Sequence, residues 1–248
     1  MRHLFIADLH LQPERPEISR AFHYLLDHIV KPSDHLYLMG DIFEYWIGDD
    51  APLPGLESLF DKLRALNDRG CRLFFQHGNR DFLVGQSLLE QWGATLLPEV
   101  TVINLPQEPA VVLHGDQLCL DDREYQQFRT LVRDPDWQAQ FLAQPIEARI
   151  ETARQMRAES SARGSMTTDA ISDVSPDAVR RTLQESNANL MIHGHTHRPD
   201  VHHDQIGPGR GTRIVLGDWS SDGWYLLIDE TGGRSLTRFT PPASYSPA

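Results

Sequence analysis

The chain has 248 residues, 40% hydrophobic and 23% charged, enough for a sizeable core in one large domain or two small ones. Its 35 acids against 23 bases leave a formal charge of -12, which argues against a general nucleic-acid binder, because phosphate backbones are met by basic surfaces. Cys71 and Cys119 form no CxxC pair, which argues against a disulfide framework or a thiolate zinc site, and no apolar stretch approaches the ~18 residues of a membrane span.

The first apolar run, LFIADLH at 4 to 10, is too short for the core of a signal peptide, so a cytoplasmic chain is expected, with contact to a membrane surface left open. The same grammar, a short apolar run followed at once by polar residues, recurs as LYLMGD (36 to 41), LFFQHGN (73 to 79) and AVVLHGD (110 to 116). It returns as NLMIHGHTH (189 to 197) and RIVLGD (213 to 218). Runs of about four Val, Ile, Leu or Phe bounded by glycine predict buried strands. Between the first three lie helical patterns at 17 to 30 and 56 to 69, in which Ile18, Phe22, Leu25, Leu26 and Ile29 fall three or four apart. Strand and helix alternate, so the fold class is α/β. From about 121 to 175 the strand signal stops, and a helical insertion broken by Pro135, Pro145 and Gly164 is expected. One domain over 1 to 240 carries it, and a frayed tail follows at 241 to 248.

In layered α/β folds chemistry gathers beyond the carboxyl ends of the strands. The polar residues found there are Asp8, His10, Asp41, Asn79, His114, His195 and His197. This set of hard or borderline ligands suits two divalent transition ions, Mn²⁺ first and Fe²⁺ or Zn²⁺ as alternatives, sharing a bridging carboxylate. In an extended chain, residues two apart face one side, which would pair Asp8 with His10 and His195 with His197. Gly40, Gly78, Gly115 and Gly194 would let the loops approach ions ~3.5–4 Å apart. Two such ions attract phosphate oxygens and lower the pKa of a bound water towards ~7, so metal-assisted phosphoester hydrolysis is the reaction expected. Asp81 and Asp116 are either orienting partners of the ligands or solvated loop acids. The remaining histidines, His193 included, are read as surface or supporting residues.

The ordered series D-x-H, G-D, G-N-R-D, H-G-D, G-H-x-H resembles the calcineurin-like metallophosphoesterases. Longer stretches, GDIFEYWIGDD (40 to 50), HGNRDFLVG (77 to 85), HGDQLCLDD (114 to 122) and IHGHTHRP (192 to 199), are similar to the UDP-2,3-diacylglucosamine pyrophosphohydrolases of lipid A biosynthesis. The resemblance runs from Leu4 to about Trp224. It implies a four-layer αββα sandwich with a helical lid over the site and two Mn²⁺ per chain. It implies hydrolysis at the α-phosphate to UMP and 2,3-diacylglucosamine 1-phosphate, at the cytoplasmic face of the inner membrane. By motif, Asp8, His10 and His197 would hold one ion and Asn79, His114 and His195 the other, with Asp41 between them. Asp41, Asn79 and His195 would be catalytic, and Asn79, Arg80, Asp122, Ser160, Gly164, Thr167 and His195 would meet the UDP-glucosamine portion.

Two departures stand out. The family commonly has lysine where this chain has Thr167, and often Asn or Thr where it has Gly164, so a cationic contact is lost or moved to Arg163. The segment 123 to 163 carries seven arginines against six acids, interleaved with Phe128, Trp137, Phe141, Leu142, Ile146 and Ile150. It suits acyl chains and an anionic bilayer, or else simple packing of the lid on the sandwich. No obligate protein partner and no nucleic acid are expected. The rival readings are a two-metal phosphodiesterase or phosphatase acting on a soluble nucleotide, and a non-catalytic scaffold that has kept the fold.

Overall fold

The computed structural model describes residues 1 to 164 and 173 to 247, with the side chains of 159 to 164 excepted. All six predicted apolar runs belong to one set of parallel neighbours or the other. β1 (His3–Ile6), β2 (His35–Met39), β3 (Arg72–Gln76) and β4 (Ala94–Leu96) lie parallel in that order. β10 (Gly223–Ile228) adds antiparallel to β1, and β11 (Arg234–Phe239) closes that edge. The second sheet runs β5 (Thr101–Asn104), β6 (Pro109–Val112), β7 (Leu190–His193), β9 (Thr212–Val215), β8 (Asp200–His202), with β6, β7 and β9 parallel.

Alternation along each strand builds the layers, because successive side chains point to opposite faces. Leu4 and Ile6 of β1 join Leu36 and Leu38 of β2 in a core beneath the helices, while Phe5, Tyr37 and Met39 point the other way. The first group packs against Ile18 and Phe22 of α1 (Pro16–Tyr24), Leu59 and Leu63 of α2 (Glu57–Asp68), and Leu88 and Leu89 of α3 (Gln86–Trp92). The second group meets Ala110, Val112, Ile192 and Ile214 from the other sheet. On that sheet's far side, Val111, Leu113 and Met191 cover Ala178, Val179 and Leu183 of α7 (Pro176–Glu185). Helix, sheet, sheet and helix make the four-layer αββα sandwich. The parallel strands at the centre of each sheet are buried on both faces, which is why they read as continuous apolar runs.

Before α7, the chain after β6 forms three further helices: α4 (Arg123–Val132), α5 (Pro135–Leu142) and α6 (Ile146–Gly164). Pro135 starts α5, and the Asp134 carboxylate accepts from the amides of Asp136 (2.9 Å) and Trp137 (3.0 Å). Buried charge ties these helices to the sandwich. Arg129 donates to Asp116 (2.8 Å) and Glu99 (2.7 Å), and Arg149 donates to the Ile47 carbonyl (2.6 Å) and Asp50 (2.8 Å). Asp49 accepts from the amides of Gly85 and Leu88 at the start of α3, both at 2.9 Å, and from the Trp46 indole, fixing the loop that α6 rests on.

One local expectation changes. The tail is pinned rather than frayed: the Tyr245 hydroxyl donates to Asp27 (2.6 Å), and Arg20 donates to the Tyr245 carbonyl (2.9 Å). Cys71 and Cys119 are buried in separate core clusters, on opposite sides of the sandwich.

Candidate metal centre

Every parallel strand ends at the same rim, and the seven ligand candidates of the sequence hang from five of those ends. Asp8 and His10 follow β1, Asp41 follows β2, Asn79 follows β3, His114 follows β6, and His195 and His197 follow β7. Asp8, His10 and His197 offer ligand atoms within 4.8 Å of one another, and so do Asp8, Asp41 and His114. Asp41 faces both ways: its Oδ2 lies 3.9 Å from His10 Nε2 and its Oδ1 3.6 Å from His114 Nε2. Asn79 Oδ1 lies 3.0 Å from His114 Nε2 and 2.9 Å from His195 Nδ1.

The side-by-side placement has a different cause from the one expected. Asp8 (φ 57°), His10 (53°), Asp41 (52°), His195 (68°) and His197 (55°) all adopt left-handed backbone conformations, which non-glycine residues rarely do. The chain is not extended there. It turns at each ligand, and the turns are stitched together: the Asp8 amide donates to Gly40 O (3.1 Å) and the His10 amide to Asp41 O (2.9 Å). Glycine is required where these turns touch. A Cβ on Gly78 would sit 2.2 Å from the Asp41 amide nitrogen, and one on Gly194 would sit 2.4 Å from Asp8 Oδ2.

Partners outside the seven orient them. His114 Nδ1 faces the Met39 carbonyl at 2.9 Å, which leaves Nε2 for the site. His10 Nδ1 lies 3.1 Å from Glu44 Oε2, and His197 Nδ1 lies 3.9 Å from Asp218 Oδ2. Asp81 and Asp116 are buried, so the solvated-acid alternative is set aside. Asp81 accepts from the amides of Gly78 (2.8 Å), Asp41 (3.2 Å) and Ile42 (2.8 Å), locking two ligand loops together. Asp116 accepts from the Tyr125 hydroxyl (2.7 Å) and Arg129, and the Tyr125 ring stacks on His195 at 6.1 Å. His193 is fully buried beside the Gly194 carbonyl (2.8 Å) and Arg213 (3.1 Å), a supporting residue.

The field of this cluster fits a cation. Asp8 Oδ1 is buried without a hydrogen-bond partner, and the His10 and His197 Nε2 atoms face each other at 3.3 Å. Burial works to lower the His197 pKa, but the Asp8 carboxylate 3.5 Å away prevails and raises it to about 9. Asp8 is lowered to about 2: burial opposes, and His197, His114 and His10 outweigh it. His195 is lowered to about 4 by burial and by the charge of His114, so it is neutral near pH 7. The raised His197 and the orphaned Asp8 oxygen both mark a place that favours positive charge, which a divalent ion supplies.

Above the cluster opens a cavity of about 480 Å³. Its lining combines His10, Asp41, Asn79, His195 and His197 of the cluster with Arg80 and with Trp46, Phe82, Phe128, Trp137, Phe141 and Met156, among which the rings of Phe82, Trp137 and Phe141 touch in series. Arg80 Nε is buried without a hydrogen-bond partner. Asp122 lines the cavity too, but its carboxylate already accepts from the Tyr125 amide (3.0 Å) as the cap of α4. Thr167, the side chains of Ser160 and Arg163, and the surroundings of Gly164 lie outside what the structure describes. Glu44, Tyr125 and Asp218 were missed by sequence reasoning. Asp218 alone carried a signal, since RIVLGD has the same grammar as the ligand runs.

Comparison with known proteins agrees with this geometry. The calcineurin-like phosphoesterase family matches residues 1–199. The UDP-2,3-diacylglucosamine hydrolase of Cellvibrio japonicus (strain Ueda107) is 48% identical over 232 residues, covering 94% of this chain and 97% of that protein. The enzymes of the same name from Tolumonas auensis (45% over 231 residues, 93% and 94% covered) and Chromohalobacter salexigens (45% over 241 residues, 96% and 98% covered) are similar to it along their whole length. The chain belongs to the calcineurin-like phosphoesterases and, among them, to the family of UDP-2,3-diacylglucosamine hydrolases.

Proposed function

We propose that this chain hydrolyses UDP-2,3-diacylglucosamine in lipid A biosynthesis, by attack of water on the α-phosphate, releasing UMP and 2,3-diacylglucosamine 1-phosphate. The observation that carries the reading is the mixed lining of the cavity: a cluster of carboxylate, imidazole and amide groups together with an aromatic wall. A diphosphate joined to acyl chains has the matching mixture of chemistry, and the whole-length relatives are named for that substrate.

Asp8, His10 and His197 would hold one divalent ion, Asn79, His114 and His195 a second, and Asp41 both, since its two oxygens face opposite clusters. Mn²⁺ is the ion favoured, because nitrogen and oxygen ligands without thiolate suit it. Two such ions supply Lewis-acid charge against phosphoryl oxygens and a water acidic enough to react near neutral pH. The chain's own side chains do the rest. Arg80 lines the cavity, and its planar guanidinium is suited to phosphate. Neutral His195 and Asn79 orient the diphosphate without adding charge to it, and Asp122 bounds the sugar side from its capping position. Ser160, Gly164 and Thr167 belong to the same proposed substrate contacts, with Arg163 in place of the missing lysine. The aromatic walls exclude water from the acyl chains.

No helix among the described residues is long and apolar enough to cross a membrane. Leu131, Leu142 and Ile146 on α4 to α6 are nonetheless exposed, and we place this face on the anionic cytoplasmic surface of the inner membrane, as a peripheral contact. A reaction run in H₂¹⁸O tests the site of attack. The label is expected in UMP; label in the lipid phosphate would contradict attack at the α-phosphate.

A further inference from the structure

The cavity wall contains a chain of polar contacts that reaches from the insertion into the metal centre. Arg157, on α6, holds Glu44 Oε1 through its Nε at 3.0 Å, and Glu44 Oε2 lies 3.1 Å from His10 Nδ1. One carboxylate thus stands between an arginine of the insertion and the imidazole whose other nitrogen faces His197 and Asp41.

Two members of this chain ride on a single laced backbone. The Leu11 amide donates to Ile42 O (2.9 Å), the Glu44 amide returns to Leu11 O (3.1 Å), and the His10 amide donates to Asp41 O. The positions of His10 and Glu44 relative to each other are therefore set by the sandwich alone. Arg157 comes from elsewhere and is held apart from them by the Arg149 anchor, two turns earlier on α6. Glu44 is largely buried, with its side chain 12% exposed, so its direction depends on which cations reach it. His10 Nδ1 has no well-aligned hydrogen bond, although it sits within charge-pair distance of Glu44. A modest swing of that carboxylate makes or loses the contact.

We propose that Arg157 is a positioning residue acting through Glu44. By fixing the carboxylate it holds the proton on His10 Nδ1 and the lone pair on Nε2, so that docking of α6 sets the affinity of the metal position that includes His10. A carboxylate behind a ligating histidine sharpens both its tautomer and its basicity. Here the outermost link belongs to the element that also walls the cavity, which couples metal retention to the seating of the insertion. The inference rests on the proposed metal role of His10, and its test needs no lipid substrate.

The experiment titrates the full chain with Mn²⁺ alone, reading free Mn²⁺ by electron paramagnetic resonance, for the parent, Glu44→Gln, Arg157→Ala, Arg157→Lys and the Glu44→Gln/Arg157→Ala double variant. Thermal melts check that each is folded. Glu44→Gln is expected to weaken one Mn²⁺ position by about 10- to 100-fold. Arg157→Ala should weaken the same position by a smaller factor, Arg157→Lys should recover part of it, and the double variant should be no weaker than Glu44→Gln. Unchanged Mn²⁺ affinity in folded Arg157→Ala, or losses that simply multiply in the double variant, would overturn the relay. In that case Arg157 serves substrate alone, and only its KM rises. A parent chain that binds no Mn²⁺ would instead remove the metal reading of His10, a failure separate from that of the relay.

Discussion

Asp41 ends β2 in a left-handed turn, and its two oxygens divide between His10 and His114. An amide at that position keeps the shape but loses the shared negative charge. Asp41→Asn is therefore expected to lower kcat by more than about 10²-fold with an unchanged melting transition, because the charge facing the transition state is rearranged while the packing is not. Steady-state kinetics with calorimetry checks this; near-parental turnover would contradict a shared carboxylate. The seven converging side chains were legible in the sequence because each follows an apolar run within a few residues. Their pairing was legible only in outcome. The sequence offered an extended chain as the reason, whereas left-handed turns at Asp8, His10, His195 and His197 do the work, and nothing in the residue types Asp and His announces a positive φ. Glu44 and Tyr125 were invisible, since they reach the site through His10 and His195, residues distant from them along the chain.

At the scale of the element, strands buried on both faces announced themselves and half-exposed ones did not. The six predicted runs are β1, β2, β3, β6, β7 and β9, the parallel strands that carry polar residues at their ends. β5 and β11 show partly or largely exposed residues and blend into loops when read as sequence. Burial also leaves two histidines away from the site that govern stability against acid. His3 on β1, near the Tyr37 hydroxyl (3.2 Å), and His23 on α1, near the Ser58 hydroxyl (3.3 Å), are each lowered to about 4, first by burial. Their unfolded-state value is about 6.5. Above that value both states are neutral and stability is complete. As pH falls from about 6.5 towards 4 the unfolded chain takes up protons that the folded one refuses, so stability declines, by at most about 2 kcal/mol per histidine at pH 5. Urea unfolding of parent and His23→Gln at pH 7.5 and 5 tests this. The variant should lose less on acidification, and an equal loss would dissociate His23 from the effect.

The whole molecule divides its labour between layers. Two sheets set the ligand loops at one rim, outer helices bury the sheets, and α4 to α6 carry the aromatic walls across the rim. That division was readable as a change of grammar near residue 121, whereas the anchors Asp116–Arg129 and Asp50–Arg149 were not, because ion pairs between distant segments leave no periodic trace. Exposed Leu131, Leu142 and Ile146 give the insertion an apolar outer surface. Flotation with phosphatidylglycerol-containing vesicles should carry the chain upward, and replacing the three residues by serine should release it; flotation unaffected by those changes would place the contact elsewhere. Reaction and cavity meet in a single assay: mass spectrometry of products from the purified chain with Mn²⁺, given UDP-2,3-diacylglucosamine or, in parallel, UDP-N-acetylglucosamine. UMP and 2,3-diacylglucosamine 1-phosphate from the first, with little turnover of the second, is the result expected of a metal rim beneath an acyl-binding wall. Turnover of the unacylated nucleotide alone, or of neither, would contradict it.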